Sequence, residues 1–337
     1  MSKKMFIIGP ISSKGSIGGV TVLFDLLLHD LNNLKIDYDI FDSNAKNYSS
    51  KIAMYLRCVF KILHPFKYRN ISLHGTAKDY LFFSVPLLLS KVLFFKSYSL
   101  RKFAGDFDNF FNSLSAIEKL LVSFLLKNSK VNFFETQKLV NFFSYYNENT
   151  HWFPNVRLAS SFSSSNYKAG SFRVLFLSQL MRAKGVYEAV EAVRAGFKEN
   201  ITLDIYGPII DVDIEELTKH EYINYKGVLD SDEVQETMSQ YHTLLFPTYY
   251  SGEGYPGVII EGFSVGIPII TTNWLSIPEL FDTKDMLVEV NNSKMLERKL
   301  LEVKESHSFY KDLSLKNFSK FQSLKYTKLF VEKTNYK

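Results

Sequence analysis

Residues 246–280 read FPTYYSGEGYPGVIIEGFSVGIPIITTNWLSIPEL, and their pattern predicts the fold class of the second half of the chain. The apolar run that ends at Pro247 predicts a strand, 251–257 predicts a glycine-rich loop, and Pro256 suits the first position of a following helix. Backbone N–H groups at such a helix start have no partner in the helix and attract an anion such as a diphosphate. The stretch is therefore typical of a phosphate-binding turn in a parallel α/β sheet.

Two glutamates flank this turn, Glu253 in the loop and Glu261 in the helix, with seven residues between them. Carboxylates accept hydrogen bonds from sugar hydroxyls while the helix N–H groups bind a diphosphate, so the pair suits a sugar nucleotide. The alternative is that both glutamates are solvated charges, which a helix dipole favours near its start. That alternative leaves the Gly-Glu-Gly-Tyr-Pro-Gly loop unexplained, which favours the sugar-nucleotide interpretation.

Short apolar strands alternate with amphipathic helices over the whole chain. The elements that define the pattern are a strand at 4–9, a glycine-rich loop at 10–19, a helix at 20–31 and, after a loose stretch at 147–171, a strand at 172–177. We therefore predict an α/β chain of two Rossmann-like domains, 1–155 and 156–317, that face a central cleft. Residues 318–337 predict a terminal helix.

Length and composition restrict the class of protein. A chain of 337 residues with 46% hydrophobic residues is long enough for two domains with sizeable cores. Its single cysteine, Cys58, cannot form an intramolecular disulfide, which fits a reducing, cytoplasmic setting. The longest apolar runs stay below the roughly 18 residues that span a bilayer, so we expect no membrane-spanning helix. The net charge of +5 is scattered along the chain, so we expect no nucleic-acid partner.

One segment combines large apolar and basic side chains at helical spacing. Residues 51–67 read KIAMYLRCVFKILHPFK and carry Lys51, Arg57, Lys61 and Lys67. The segment can be a surface helix whose lysine stems cover a core face. The alternative is that it lies on a membrane near a lipid-linked substrate, as interfacial amphipathic helices do.

The stretch 246–280 resembles the retaining glycosyltransferases of family four, which have the GT-B fold and an E-x7-E motif. Glu253 and Glu261 match the two glutamates of that motif. Further matches are Gly266-Ile-Pro268, Thr271-Thr272, Ile277-Pro-Glu279, the strand and Lys-Gly of 176–185 (FLSQLMRAKG), the interdomain Pro-Asn of Trp152-Phe-Pro-Asn155, and the glycine loop of 15–19. The resemblance thus extends over nearly the full chain, and it implies that the terminal helix packs back on the N-terminal domain.

The resemblance also implies a role for each matched residue. Glu253 would contact the donor sugar hydroxyls, Glu261 the ribose hydroxyls, and Lys184 would neutralise the diphosphate leaving group. The backbone that binds the sugar and the diphosphate would be that of Gly254, Tyr255, Pro256, Gly257 and Val258. The sequence departs from the family at 178–179, where Ser-Gln replaces the usual Gly-Arg, and we expect Arg182 to supply the second positive charge.

The N-terminal half contains three further candidates. Gly18 and Gly19 would let the backbone approach the donor phosphate or the acceptor, because glycine has no side chain and tolerates positive φ. His74, at a predicted strand end, resembles the family histidine that reaches the donor sugar from this domain. A lone histidine can also be an ordinary core or loop residue, and the sequence leaves both interpretations open.

Three pairs of aspartates have the D-x-D spacing by which GT-A glycosyltransferases hold a divalent metal. They are Asp37 and Asp39, Asp106 and Asp108, and Asp211 and Asp213. So short a pattern arises easily by chance, and the first pair fits the polar face of an alternating strand. We therefore expect no metal and no cofactor, the nucleotide-diphosphate sugar being a substrate. The sequence lacks a P-loop lysine motif and a G-x-S-x-G elbow, which argues against an NTPase or an α/β-hydrolase.

The activity that the resemblance implies is transfer of a sugar from a nucleotide-diphosphate donor to an acceptor hydroxyl with retention of configuration. The lysine-rich, arginine-poor usage is typical of an AT-rich bacterial gene. For a bacterial transferase of this kind, the resemblance implies surface polysaccharide synthesis, such as O-antigen or capsule, on a glycan or lipid-linked acceptor at the cytoplasmic membrane face. Two alternatives stay open, a sugar-nucleotide epimerase of the same fold and a catalytically inactive sugar-binding module, for which the departure at 178–179 is the main support.

Overall fold

The computed structural model describes residues 2–12, 19–196 and 199–335, and the chain divides into two compact units. The first unit consists of Met1–Asn155 and Ser323–Lys337, and the second of Val156–Gln322. In the described residues each unit contains one sheet of six parallel strands with helices packed on it. The predicted α/β class with two Rossmann-like domains is confirmed.

The sheet of the first unit has the strand order β2-β1-β3-β4-β5-β6. Its strands are β1 (Ser2–Gly9), β2 (Tyr38–Asp42), β3 (Tyr68–Gly75), β4 (Ser97–Lys102), β5 (Asn132–Phe134) and β6 (Thr150–Trp152). The helices that connect them are α1 (Gly19–Asn33), α2 (Lys51–Leu63), α3 (Ala77–Phe94), α4 (Phe107–Ser113), α5 (Ala116–Asn128) and α6 (Gln137–Phe143). The last helix of the chain, α13 (Ser323–Lys333), also belongs to this unit.

Helices cover both faces of this sheet, because side chains alternate along a strand. Ile71 and Leu73 of β3 belong to the buried cluster that packs against α2, α3, α4, α5 and α6. His74 points to the other face, where Phe24 of α1 and Phe330 of α13 lie beside its ring, with ring centroids 5.5 and 5.2 Å away. The terminal helix thus completes the core of the first unit.

The second unit has the strand order β12-β11-β10-β7-β8-β9. Its strands are β7 (Phe172–Leu177), β8 (Ile201–Tyr206), β9 (Ile223–Tyr225), β10 (Thr243–Phe246), β11 (Ile269–Thr272) and β12 (Leu287–Val288). Its helices are α7 (Val186–Ala195), α8 (Ile214–Leu217), α9 (Val234–Ser239), α10 (Gly257–Val265), α11 (Ser293–Glu305) and α12 (His307–Phe318). The chain runs outward from β7 on one side and from β10 on the other, so the order reverses between these two central strands.

The predicted helix over 318–337 is interrupted in the structure. Helix α12 ends at Phe318 and α13 begins at Ser323. Between them lies Phe321, which belongs to the second unit and stacks on Phe263 of the same unit, with ring centroids 6.2 Å apart. Its carbonyl accepts a hydrogen bond of 3.0 Å from the N–H of Arg157, which it could not do inside a continuous helix.

In the described ranges of the chain, helix length and hydropathy together leave no candidate for a bilayer-spanning segment.

Candidate active site

Lys184 and Glu253 meet at the point where the strand order of the second sheet reverses. Lys184 lies in the loop after β7, and Glu253 in the loop after β10. The Lys184 Nζ donates to Glu253 Oε1, and the two side chains are only 13% and 5% exposed. In open parallel sheets, ligands bind outside the carboxyl ends of the strands at such a reversal. The structure therefore brings the two predicted residues together where a ligand of this fold is expected.

The two loops touch through their backbones. Gly185 follows a short 3₁₀ turn at Arg182–Lys184 and has φ of +82°, a conformation that favours glycine. A Cβ at this position would lie 2.2 Å from the carbonyl oxygen of Pro247, so the second loop passes directly over it. The N–H of Tyr249 donates to the carbonyl of Ala183 at 2.8 Å. These contacts hold the two loops together and so fix the position of the Lys184 backbone.

Aromatic and hydroxyl side chains outside the set of predicted site residues support the same loop. The ring of Tyr250 lies 4.6 Å from the Lys184 Nζ, close enough for a cation–π interaction. The carbonyl of Tyr250 accepts from Trp274 Nε1 at 2.8 Å, and the carbonyl of Thr248 accepts from the hydroxyl of Thr272. Only Thr272 was part of a matched motif, and neither its spacing nor that of Trp274 revealed these contacts.

Helix α10 begins where the glycine loop ends, with Pro256 as its N-cap. Helix geometry leaves the N–H groups of Gly257 and Val258 without intrahelical acceptors, and no described residue accepts from them. Gly254 is half-buried, and Tyr255 is buried with its hydroxyl donating to Glu279 Oε2. Two backbone donors and the positive end of the helix thus lie in the segment that carries Glu253.

Glu261 has a partner that the sequence did not reveal. The Nε of Arg157 donates to Glu261 Oε1 at 2.7 Å, and Nη1 of the same arginine donates to the carbonyl of Val156 at 2.8 Å. The Arg157 side chain is 9% exposed and that of Glu261 is 22% exposed. Arg157 comes two residues after the predicted Pro-Asn, but nothing in that spacing indicates which carboxylate it contacts.

Arg182 is exposed, and its guanidinium lies 4.4 Å from the ring of Tyr187. The backbone N–H of Arg182 donates to Asp211 Oδ1 at 2.7 Å. Among the described residues the structure records no contact between the Arg182 side chain and Glu253. The nearby Glu188 is half-buried, and burial raises the pKa of its carboxyl, while Arg182 acts in the opposite direction. The role of Arg182 in binding the diphosphate stays a prediction.

The structure gives weaker support for the three candidates of the first unit, Gly18, Gly19 and His74. Gly18 lies outside the described residues, and Gly19 begins α1 and lines an open pocket of about 370 Å³ together with Thr76 and Asp79. His74 is fully buried, with Nε2 hydrogen-bonded to the hydroxyl of Ser72 at 2.8 Å. Burial, and then the charge of Arg101, hold the pKa of His74 well below its usual range. The ring must be uncovered before it can reach a donor sugar, and that role stays a prediction.

The three D-x-D pairs have contacts within the protein. Asp37 pairs with Lys4 at 3.0 Å, Asp108 pairs with Lys138 at 2.6 Å, and Asp213 caps α8 by accepting from Glu215 and Glu216. In the described ranges no group of three acidic, histidine or cysteine side chains could hold a metal ion. Metal independence of the reaction stays a prediction.

Comparison with known proteins finds a family pattern in the second unit. Residues 171–306, which include Lys184, Glu253 and Glu261, match the family described as "Glycosyl transferases group 1". The chain is 24% identical over 96 residues to O-antigen chain mannosyltransferase B of Escherichia coli, covering 28% of this chain and 25% of that one. It is 26% identical over 145 residues to the putative colanic acid biosynthesis glycosyltransferase WcaL of E. coli K12, covering 39% and 36%. The matched parts are thus well under half the length of these relatives.

Solved structures match over nearly the full chain. HepE of Anabaena, solved with UDP, has a TM-score of 0.71 at 13% identity and covers 98% of this chain and 99% of its own. Sucrose-phosphate synthase of Thermosynechococcus elongatus has a TM-score of 0.72 at 14% identity, covering 98% of each chain. The apo form of the lipopolysaccharide outer core galactosyltransferase WaaB has a TM-score of 0.66 at 14% identity, also covering 98% of each. The chain therefore has the GT-B fold, and its residues 171–306 carry the sequence pattern of the group 1 glycosyl transferases.

Proposed function

We propose that the protein is a retaining glycosyltransferase of family four that transfers a sugar from a nucleotide-diphosphate donor to an acceptor hydroxyl. The observation that carries the proposal is the Lys184–Glu253 pair beside the start of α10. One donor molecule bound there can contact both a carboxylate, through its sugar hydroxyls, and a cation, through its diphosphate. The match of residues 171–306 to the group 1 glycosyl transferases supports the same activity.

The chemistry follows from where charge develops. The oxygen of the acceptor hydroxyl forms a new bond to the sugar C1 while the bond between C1 and the diphosphate oxygen breaks, and the hydroxyl proton passes to the departing diphosphate oxygen. Negative charge grows on the leaving diphosphate as its bond to C1 breaks. Lys184 and the N–H groups of Gly257 and Val258 stabilise that charge, and they are held in place before the reaction starts. Glu253 orients the sugar through its hydroxyls, and Glu261, held by Arg157, accepts from the ribose. Catalysis is then leaving-group stabilisation and positioning, with no cofactor and no metal.

The cellular setting is part of the proposal. Relatives named for O-antigen and colanic acid synthesis support a role in bacterial surface polysaccharide assembly. The acceptor is then a glycan or a lipid-linked glycan, and the protein works in the cytoplasm with peripheral contact to the inner membrane face. HepE, which is solved with UDP and glucose, makes UDP-sugars the first donors to test.

The first experiment is a thermal-shift panel with UDP, GDP, ADP and CMP and their sugar conjugates, each with and without EDTA. A ligand at roughly a hundred times its dissociation constant adds about 2.7 kcal/mol, which raises the melting temperature by a few degrees. We expect one nucleotide diphosphate to stabilise the protein in EDTA, and its sugar conjugate then to be turned over with the product in the donor's anomeric configuration. Stabilisation that needs a divalent cation, or an inverted product, contradicts the proposal.

A binding module without transferase activity is the second candidate, favoured by Ser178-Gln179 in place of Gly-Arg and by the stacking of Arg182 on Tyr187. The two candidates differ in turnover. A transferase loses turnover in Glu253→Ala, whereas a binding module has none to lose. An epimerase of this fold is separated by product analysis without acceptor, because only the epimerase then releases a changed sugar nucleotide.

A further inference from the structure

Three neighbouring helices of the first unit expose rows of apolar side chains to solvent. Helix α3 packs between α2 and α5, and their inward residues belong to the core of the unit. On the outer side of α2, Ile52, Leu56 and Phe60 follow one another at intervals of four residues, with exposed fractions of 73, 58 and 72%. Residues at this spacing share one helix face, so the outer face of α2 is apolar as well as its inner face.

The adjacent helices repeat this arrangement. Of the 24 large apolar side chains that are exposed in the described part of the chain, 13 lie on these helices or directly after α2 and α3. They are Ile52, Leu56, Phe60, Phe66, Phe82, Val85, Leu89, Val92, Leu93, Phe95, Ile117, Leu120 and Phe124, and we call them the three-helix face. Exposed apolar residues scattered singly are normal, but a contiguous set on neighbouring helices marks an interaction surface.

The charges around this face are mostly positive. Helices α2, α3 and α5 carry seven basic residues, namely Lys51, Arg57, Lys61, Lys78, Lys91, Lys119 and Lys127. Their two acidic residues, Asp79 and Glu118, are each engaged in a capping box at a helix start. The stretch 43–78 contains no acidic residue at all. The face therefore suits a binding partner with an apolar interior and a negatively charged surface.

A groove continues the face at the edge of the sheet. Leu56 and Phe60 line one side of an open groove of about 580 Å³, and Phe41 of the edge strand β2 lines the other. Arg57 and Lys61 also line it, with the Lys61 Nζ 5.2 Å from the Phe41 ring. The carboxylate of Asp42 lines it too and accepts hydrogen bonds from the backbone N–H groups of Ile11 and Asn44. The groove thus combines an apolar lining with two cations and one carboxylate that is already hydrogen-bonded, and the cations suit a phosphate next to an acyl chain.

We propose that the three-helix face docks on a bilayer of anionic phospholipids, with its apolar residues in the headgroup and acyl boundary and its basic residues on the lipid phosphates. A second copy of the chain fits less well, because a symmetric contact would set the same basic residues against one another. The inference deepens the membrane contact that the proposed function includes, and it rests on that proposal for its biological role. The docking itself needs no enzymatic activity, so the two can fail separately.

The first test measures binding to vesicles of phosphatidylcholine with and without 30% phosphatidylglycerol by co-sedimentation. The variant Phe60→Ser/Val92→Ser/Ile117→Ser changes one residue on each helix, with exposed fractions of 72, 70 and 81%. The matched control Ile210→Ser/Phe309→Ser changes residues of the second unit that are 55 and 53% exposed. We expect the wild type and the control to bind the anionic vesicles, and the triple variant to bind at least tenfold more weakly.

Three outcomes overturn the inference. They are failure of the wild type to sediment with anionic vesicles, equal binding of the wild type to neutral and anionic vesicles, and equal binding of the triple variant and the control. Sedimentation velocity without lipid adds a fourth, a wild-type dimer that the triple variant dissociates, since the face would then be an interface between two copies.

A second measurement does not depend on how the serine variant folds. Cys58 is fully buried, and burial raises the pKa of its thiol, so a maleimide dye reacts selectively with an introduced surface cysteine. An environment-sensitive dye on Val92→Cys should shift to the blue with anionic vesicles, and the same dye on Ile210→Cys should not. Equal shifts at both positions, or none at Val92→Cys, contradict docking through the three-helix face.

Discussion

Arg157 and Glu261 are 104 residues apart in the sequence, and the arginine Nε donates to the glutamate Oε1 at 2.7 Å. The bond occupies one carboxylate oxygen and fixes the plane of the group, because the guanidinium is rigid and is itself held by the carbonyl of Val156. The side chain of Glu261 keeps 22% of its surface exposed, which is enough for a ligand to reach it. Arg157 is therefore a positioning residue for the proposed ribose contact.

Replacing this arginine should affect ribose recognition in particular. We expect Arg157→Gln to weaken nucleotide binding by roughly tenfold or more, since a hydrogen bond to a charged group contributes about 1.5–3 kcal/mol. The loss should be larger for the ribonucleotide than for its 2′- or 3′-deoxy counterpart. Calorimetric titration of the nucleotides measures this ratio. Arg194→Gln, which removes an exposed pair with Glu191, is the control and should change neither affinity. An equal loss for ribo- and deoxynucleotides would show that Glu261 does not contact the ribose.

Two variants of Lys184 distinguish the effect of its positive charge from the effect of its side-chain shape. We expect Lys184→Met to lower kcat by about a hundredfold to a thousandfold, the usual effect of removing one donor from a site where charge develops. Lys184→Arg keeps the charge and should retain more of the rate. Steady-state kinetics with the donor from the thermal-shift panel compares the two variants. If both lose kcat equally, geometry and not charge is what Lys184 supplies.

Two glycines with similar backbone angles should respond differently to alanine. Gly185 has φ of +82° and a neighbour 2.2 Å from its virtual Cβ, whereas Gly170 has φ of +93° and open space. Gly170→Ala should cost only the left-handed conformation, about 1–2 kcal/mol. Gly185→Ala should cost more than that and also lower kcat, because the loop that carries Lys184 must move away from Pro247. Chemical denaturation and kinetics test both variants, and equal stability losses would contradict the argument.

Stability should depend on pH through a histidine pair in the second unit. His242 Nδ1 accepts from the N–H of Arg173 at 2.9 Å, and His307 donates to the carbonyl of His242 at 2.8 Å. Burial, followed by the charges of His307 and Arg173, lowers the pKa of His242 from 6.5 to about 4. Below pH 6.5 the unfolded chain takes up a proton that the folded chain refuses, so this stability is complete above pH 6.5 and declines toward pH 4.

The matched variant is His242→Asn, whose side-chain oxygen can accept the same hydrogen bond and cannot be protonated in this range. Unfolding midpoints measured from pH 7 down to pH 4.5 should fall less steeply in the variant than in the wild type. Parallel curves would assign the pH dependence to other groups, such as the buried His74.

The sequence predicts the parts of the site whose position follows from the strand that precedes them. Lys184 and Glu253 follow two strands at a reversal of strand order, so their meeting follows once a doubly wound sheet is predicted. The contact of Arg157 with Glu261 could not be predicted, because no periodicity links residues in separate segments. The burial of His74 depends on the packing of Phe330 from the other end of the chain, and the break at 319–322 depends on the tertiary contacts of Phe321. In each of these cases tertiary packing decides what local pattern leaves open.

Helix α13 belongs to the first unit but is synthesised after the whole second unit. Tyr326 and Phe330 pack against Phe153 and Phe133, with centroids 5.6 and 5.7 Å apart, and Thr327 donates to Asp30 at 2.9 Å. While the ribosome is still translating the second unit, the residues of the first unit that α13 will cover are therefore exposed. Domains generally fold in the order of synthesis, but the first unit stays incomplete until α13 has been synthesised. A nascent chain stalled before Ser323 should consequently depend on chaperones for its first unit.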